Sequence, residues 1–117
     1  MRDGWDVWLG NNRGTRFSDK KEGYTQENSE YWNFDWSDMG ARDVPAMADY
    51  IINWSDGNYP KISYLGYSQG TAQFFYGLAT HGDLYRDKIH MYAGLAPCTR
   101  MKHSFEESKM PALLRMA

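Results

Sequence analysis

Ile62-Ser63-Tyr64-Leu65-Gly66-Tyr67-Ser68-Gln69-Gly70-Thr71 is the stretch on which the fold turns. The apolar run Ile62 to Leu65 predicts a short buried strand. Gln69 to Thr80, with Ala72, Phe75, Leu78 and Ala79 on one side, predicts a helix. A strand that feeds a helix within three residues is the first half of a βαβ crossover, and the rest of the chain extends the pattern. Upstream, Val44, Met47, Ala48, Ile51 and Ile52 fall at helical spacing. Asp43 is the expected N-cap there, Pro45 sits in the first turn, and Asp56-Gly57-Asn58-Tyr59-Pro60 supplies the stop, which bounds a helix at Val44 to Trp54. Downstream, His81-Gly82-Asp83 ends the second helix, and Ile89 to Ala96 forms another apolar run halted by Pro97. Trp5 to Leu9 reads as a further buried strand, stopped by Gly10-Asn11-Asn12-Arg13-Gly14.

Strand, helix, strand, helix, strand places the chain in the α/β class, with parallel strands joined by right-handed crossover helices. Three such strands leave two open edges and need cover on both faces. The sheet is therefore expected to be incomplete, and residues 1–117 read as the middle of a larger domain, with a partner chain as one way to complete it. Thr15 to Trp36 shows no period and is expected to be a covering loop pinned by Tyr31, Trp32, Phe34 and Trp36. The tail from Lys102 to Ala117 sets Glu106, Glu107 and Lys109 against Leu113 and Leu114 and reads as a helix.

Composition removes several functional classes. Thirteen Lys and Arg against 15 Asp and Glu give a net charge of -2, without the basic excess that phosphate-backbone binding needs, so no nucleic acid partner is expected. Mean hydropathy is -0.74, and no apolar stretch approaches the roughly 20 residues of a bilayer span. The opening Met1-Arg2-Asp3-Gly4-Trp5-Asp6 lacks the apolar core of a signal peptide. Cys98 is the single cysteine, which excludes an internal disulfide and a cysteine zinc cluster; it reads as a free buried thiol. Asp38, Asp43 and Asp49 lack the close spacing and glycine of a calcium loop, so no metal is expected. No cofactor is implied. Asn53-Trp54-Ser55 fits the glycosylation sequon near a helix end, where it also arises by chance. The abundant Trp and Tyr serve to anchor loop and core better than to form a sugar-binding platform.

Gly66-Tyr67-Ser68-Gln69-Gly70 matches G-x-S-x-G between a strand and a helix, the setting of a nucleophile elbow. The sharp turn is expected to hold Ser68 in a strained backbone conformation, with Gly66 and Gly70 removing side chains that would collide with the neighbouring strand and helix. The first N–H groups of the following helix then point where an oxyanion would develop. A plainer role is also open: two glycines for tight packing and a serine that caps the helix.

Further residues carry a family resemblance. Asp6-Val7-Trp8-Leu9-Gly10-Asn11-Asn12-Arg13-Gly14, Tyr31-Trp32-Asn33-Phe34-Asp35-Trp36-Ser37-Asp38-Met39, Asp43-Val44-Pro45-Ala46, Asp49-Tyr50-Ile51, Tyr64 to Thr71 and Leu95-Ala96-Pro97 together resemble, in order, the acid lipase family of gastric and lysosomal lipases. That resemblance implies the central part of an α/β-hydrolase fold, Ser68 as acyl-enzyme nucleophile, Gln69 as donor of one oxyanion-hole N–H, and a neutral-lipid ester such as a triacylglycerol or steryl ester as substrate. It also implies transient contact with a lipid interface, a lysosomal or secreted location, and a cap or lid region beginning at 102–117. Tyr67 stands where the family commonly has His, and Asn12 where it commonly has Ser.

A serine nucleophile needs a histidine base and a carboxylate that orients it. His81 at a helix end and His90 in a strand read as ordinary polar residues, as do Asp83 and Asp87. His103 resembles a family residue at the entrance to the cap. The resemblance implies triad Asp and His beyond Ala117 and a His-Gly oxyanion motif that is not found before Trp5. The isolated chain is accordingly expected to be nearly inactive. The alternative to a lipase is a truncated, lipase-like polypeptide with a binding or structural role.

Overall fold

The computed structural model describes residues 4–99. The tail expected to begin a cap, 102–117, lies outside the described residues, as does His103. A 3-10 turn at Ser29–Trp32 is followed by a one-turn helix α1 (Trp36–Asp38), a π turn (Met39–Asp43) and helix α2 (Val44–Trp54). Strand β1 (Ile62–Tyr67), helix α3 (Gln69–Thr80), helix α4 (Gly82–Lys88) and strand β2 (Ile89–Leu95) complete the order. β1 and β2 pair in parallel, with Tyr64 beside Tyr92, Gly66 beside Gly94 and Tyr67 beside Leu95. The α/β class stands, carried among the described residues by two paired strands.

Trp5 to Leu9 corrects the expectation of a third strand. The segment is exposed and unpaired, because a strand exists by its ladder and no described strand runs beside it. It lies instead along α2, where the Trp8 ring meets Tyr50 and Trp54 edge-on at centroid distances of 5.9 and 6.0 Å.

Helix α2 has the expected bounds but a different start. Asp43 already has helical φ and ψ of -70° and -47° and makes no side-chain cap. Its carboxylate accepts three bonds from Arg13: backbone N to Oδ2 at 3.0 Å, Nε to Oδ1 at 2.8 Å and Nη2 to Oδ1 at 2.6 Å. The cap of the continuous helical run is Asp35, which accepts from the Ser37 N–H at 2.7 Å while the Asp38 carboxylate accepts from the Asp35 N–H at 3.2 Å. The π turn, in which the Val44 N–H reaches back to the Met39 carbonyl, widens the helix just before Pro45, which has no N–H to donate.

The core gathers on one side of the sheet. Val44, Phe74 and Tyr85 are buried, and Phe74 stacks on Tyr92 at 4.1 Å and on Tyr64 at 4.9 Å. The buried side of α3 is Thr71, Ala72, Gln73, Phe74 and Gly77, so the expected apolar side is corrected: Leu78 is 45% exposed and Ala79 is exposed. The reason is a two-sided environment. β1 lies on one flank of α3 and the π turn on the other, so the helix buries a broad face that includes polar residues with partners. A Cβ at Gly40 would overlap the Gln73 carbonyl, so a side chain there would push the π turn off α3. Tyr85 lies over Gly77 and donates its hydroxyl to the Gly40 carbonyl at 2.6 Å, and burial raises its pKa.

The opposite face of the sheet is apolar and bare among the described residues. Leu65 is 66% and Tyr67 69% exposed, with Met91 and Leu95 beside them on β2. Thr15 to Trp36 is a turn-rich covering segment, anchored by buried Tyr31 and its edge-on contact with Trp32 at 4.8 Å. Trp32 and Trp36 themselves stay substantially exposed.

Candidate active site

Ser68 stands alone between β1 and α3 with φ 49° and ψ -113°. No regular element uses that combination, and for a residue with a Cβ it costs on the order of 1–3 kcal/mol. The surroundings hold it there. The Ser68 N–H donates to the Leu95 carbonyl at 3.0 Å, and its own carbonyl accepts from the Thr71 N–H at 2.9 Å and the Thr71 hydroxyl at 2.6 Å. Thr71 is fully buried, and its Oγ1 also accepts from the Cys98 N–H at 2.8 Å, which ties the turn to the segment that leaves β2. That segment carries a left-handed residue of its own, Ala96, with φ 49°.

The glycines divide the work unequally. A Cβ at Gly66 would come within 2.8 Å of the Gly70 carbonyl oxygen and 2.9 Å of its carbon, so only glycine lets β1 and α3 approach this closely. A Cβ at Gly70 would meet only the Tyr64 hydroxyl at 3.6 Å, an ordinary contact among the described residues. The expected collision is therefore confined to the strand side of the turn.

The Ser68 hydroxyl makes no capping bond to α3. The plainer role for the serine, a helix cap, thus loses its geometric basis. Gln69 opens α3, so its N–H belongs to the first helical turn, whose donors have no acceptor within the helix. Its side chain lies across to Met39, with Nε2 3.1 Å from Sδ.

Neither described histidine approaches Ser68 as a hydrogen-bond partner. His81 Nδ1 pairs with the Thr80 hydroxyl at 2.8 Å, and His90 is exposed on β2. Asp83 pairs with Arg86 at 2.6 Å and Asp87 is exposed on α4. No group of three or more His, Cys, Asp or Glu side chains converges among the described residues. Cys98 is a free, half-buried thiol on an open cleft of about 270 Å³, lined also by Trp36, Ala72, Phe75, Tyr76 and Thr99.

A polar chain beneath the turn was not foreseen. Asn12 Nδ2 donates to Gln73 Oε1 at 2.8 Å, Gln73 Nε2 donates to the Tyr64 hydroxyl at 3.1 Å, and that hydroxyl donates to the Gly70 carbonyl at 3.0 Å. Gln73 is 3% exposed. Burial raises the Tyr64 pKa, opposed by its bond from Gln73 and assisted by nearby Tyr92, so the phenol stays a donor at neutral pH. The one available signal was Gln73 itself, three residues past Gly70 and between Ala72 and Phe74, both of which are buried.

Comparison with known proteins finds similar sequence along most of this chain. A probable lipase of Schizosaccharomyces pombe is 43% identical over 97 residues, which is 83% of this chain and 21% of that protein. A putative lysosomal acid lipase/cholesteryl ester hydrolase of Crotalus adamanteus is 38% identical over 101 residues, 86% of this chain and 24% of that protein. Gastric triacylglycerol lipase of Mus musculus is 36% identical over 111 residues, 95% of this chain and 27% of that protein. The chain spans about a fifth to a quarter of the length of these curated relatives. The similarity to gastric and lysosomal lipases expected from the motifs is thus found along most of the sequence. The family model described as alpha/beta hydrolase fold matches residues 1–116, and the chain belongs to that family.

Proposed function

We propose that this chain carries the nucleophile of an ester hydrolase of the acid lipase type. The observation that carries the proposal is Ser68: a strained, left-handed serine between a parallel strand and a helix, with its hydroxyl not engaged in capping. In the reaction, Ser68 Oγ bonds to the ester carbonyl carbon while its proton passes to a base. The tetrahedral intermediate then expels the alcohol, which takes up that proton, and water cleaves the acyl-serine ester. The Gln69 N–H donates to the oxyanion. Among the described residues His81 pairs with Thr80 and His90 is exposed on β2. The resemblance to acid lipases, with the motif order Ser, acid, His, is the ground on which the base and its carboxylate are proposed to lie beyond Ala117.

Neutral-lipid esters are the proposed substrates, supported by relatives named for triacylglycerol and for cholesteryl ester. The same names support a lysosomal or secreted location, and transient contact with a lipid interface is proposed from the resemblance to acid lipases. No helix among the described residues is long and apolar enough to cross a membrane.

The test is fluorophosphonate labelling of the protein from its source, followed by peptide mapping and by hydrolysis of emulsified triacylglycerol and cholesteryl ester. The expected result is label on Ser68 and loss of hydrolysis in Ser68→Ala. An unlabelled Ser68 with unchanged hydrolysis in Ser68→Ala overturns it, and an unlabelled protein with no hydrolysis favours the binding or structural role. Residues 1–117 prepared alone are expected to show little or no Ser68-dependent esterase activity.

A further inference from the structure

We infer that Asn12, Gln73 and Tyr64 are positioning residues for the nucleophile turn, fixing the first turn of α3 against β1 through the Gly70 carbonyl. The inference rests on Ser68 being the nucleophile. Three observations carry it. The hydrogen bonds run in one unbroken direction, from the Asn12 amide through the Gln73 amide and the Tyr64 phenol to the Gly70 carbonyl, at 2.8, 3.1 and 3.0 Å. That carbonyl is the group against which Gly66 packs and would collide if it bore a Cβ, so the chain ends at the tightest contact in the turn. Gln73 also returns a second, longer bond to Asn12 Oδ1 at 3.4 Å, so the amide pair is held at both ends across 61 residues of sequence.

Stability alone gives little reason for such a chain. A buried amide and phenol gain little net free energy over apolar side chains of the same shape. What they add is direction, since a hydrogen bond fixes an orientation that apolar contact leaves free. Direction matters at this place because the oxyanion donor at Gln69 and the Ser68 hydroxyl ride on the same turn. Donors act only when placed close to 3 Å from the developing charge, and a displacement of about 1 Å costs roughly 100-fold. Asn12 belongs to the segment Leu9 to Gly14, which Arg13 also clamps to Asp43, so the network braces the turn against the helical run that ends in α2.

Steady-state kinetics on a soluble nitrophenyl ester and the rate of fluorophosphonate labelling test this in the active, full protein. Tyr64→Phe keeps the ring stacked on Phe74 and cuts the chain at its last link; Gln73→Leu cuts it in the middle. Both are expected to lower kcat and the labelling rate roughly tenfold with KM within about twofold. The double variant Asn12→Ala with Gln73→Leu is expected to be no slower than Gln73→Leu, since Asn12 acts only through Gln73. A merely structural role would lower the melting temperature and leave kcat of the folded protein unchanged, and that result in Tyr64→Phe overturns the inference. If Gln73→Leu fails to fold, Tyr64→Phe decides. Ser68→Ala separates the two levels: if it keeps its activity, the nucleophile assignment falls and this inference with it. If it is inactive while Tyr64→Phe is fully active, the inference alone falls.

Discussion

Ser68 and Asp56 share a left-handed φ of 49°, and their surroundings could hardly differ more. Asp56 follows α2 in an exposed turn whose bonds are local: its N–H reaches the Asn53 carbonyl at 3.2 Å, and Gly57 continues the left-handed path. Ser68 is gripped from three elements, by Leu95 at the end of β2, by Thr71 in α3 and by the Gly66 approach on β1. A left-handed residue in a turn is a convenience of chain reversal. One held by bonds from distant parts of the chain is over-determined, and over-determination is what allows strain to persist, as the proposed nucleophile requires.

The contrast can be tested by loosening each grip in turn. The largest effect is expected from Gly66→Ala, whose Cβ meets backbone atoms that cannot swing aside. It should cost roughly 1–3 kcal/mol or more in denaturant melts, and cut esterase activity about 100-fold as the turn is displaced. Thr71→Val comes next. It keeps the shape of a fully buried residue but leaves the Cys98 N–H without its acceptor and removes one of two bonds to the Ser68 carbonyl, a loss of about 1–3 kcal/mol measurable by urea unfolding.

A smaller effect is expected at the helix start that carries the π turn. Bonds from Ser37, side chain first, hold the Asp35 carboxyl below its ordinary value of 3.8. A lowered folded pKa stabilises above the unfolded value and is lost as pH falls through the folded one, so Asp35→Asn should lose that small contribution at pH 7 and flatten the acid limb below about pH 4, where variant and parent converge. The smallest effect belongs to the other member of the comparison. Asp56→Gly trades relief of a left-handed residue against a more flexible unfolded chain and should shift stability by no more than about 0.5 kcal/mol. A large loss there would show that the exposed turn is held as tightly as the one at Ser68.

How much of this was legible beforehand follows from the range of the forces involved. The strand, turn and helix around Ser68 could be read because their signals are local: an apolar run, two glycines around a serine and helical spacing lie within one short window. The bounds of α2 were legible for the same reason. Asp43 was misread as a cap because Arg13, thirty residues away, claims its carboxylate, while Asp35-Trp36-Ser37-Asp38 held the actual signal one helical run earlier. Trp5 to Leu9 has the composition of a strand, but pairing depends on what lies beside it. Gln73 escaped notice because a polar residue on a helix is ordinarily solvated, and only its neighbours Asn12 and Tyr64 make burial tolerable.

The bare face of the sheet bears on how the molecule comes to be folded. One side of β1 and β2 is closed by Phe74, while the other presents Leu65, Tyr67, Met91 and Leu95 to water. The Ser68 turn is tied to the end of β2 by the bond from its N–H to the Leu95 carbonyl. Until something dry lies against the open side, the strands can breathe, and each opening lets the Leu95 carbonyl drift from the Ser68 N–H. The geometry of the Ser68 turn therefore depends on what lies against that side of the sheet, which is open among the described residues.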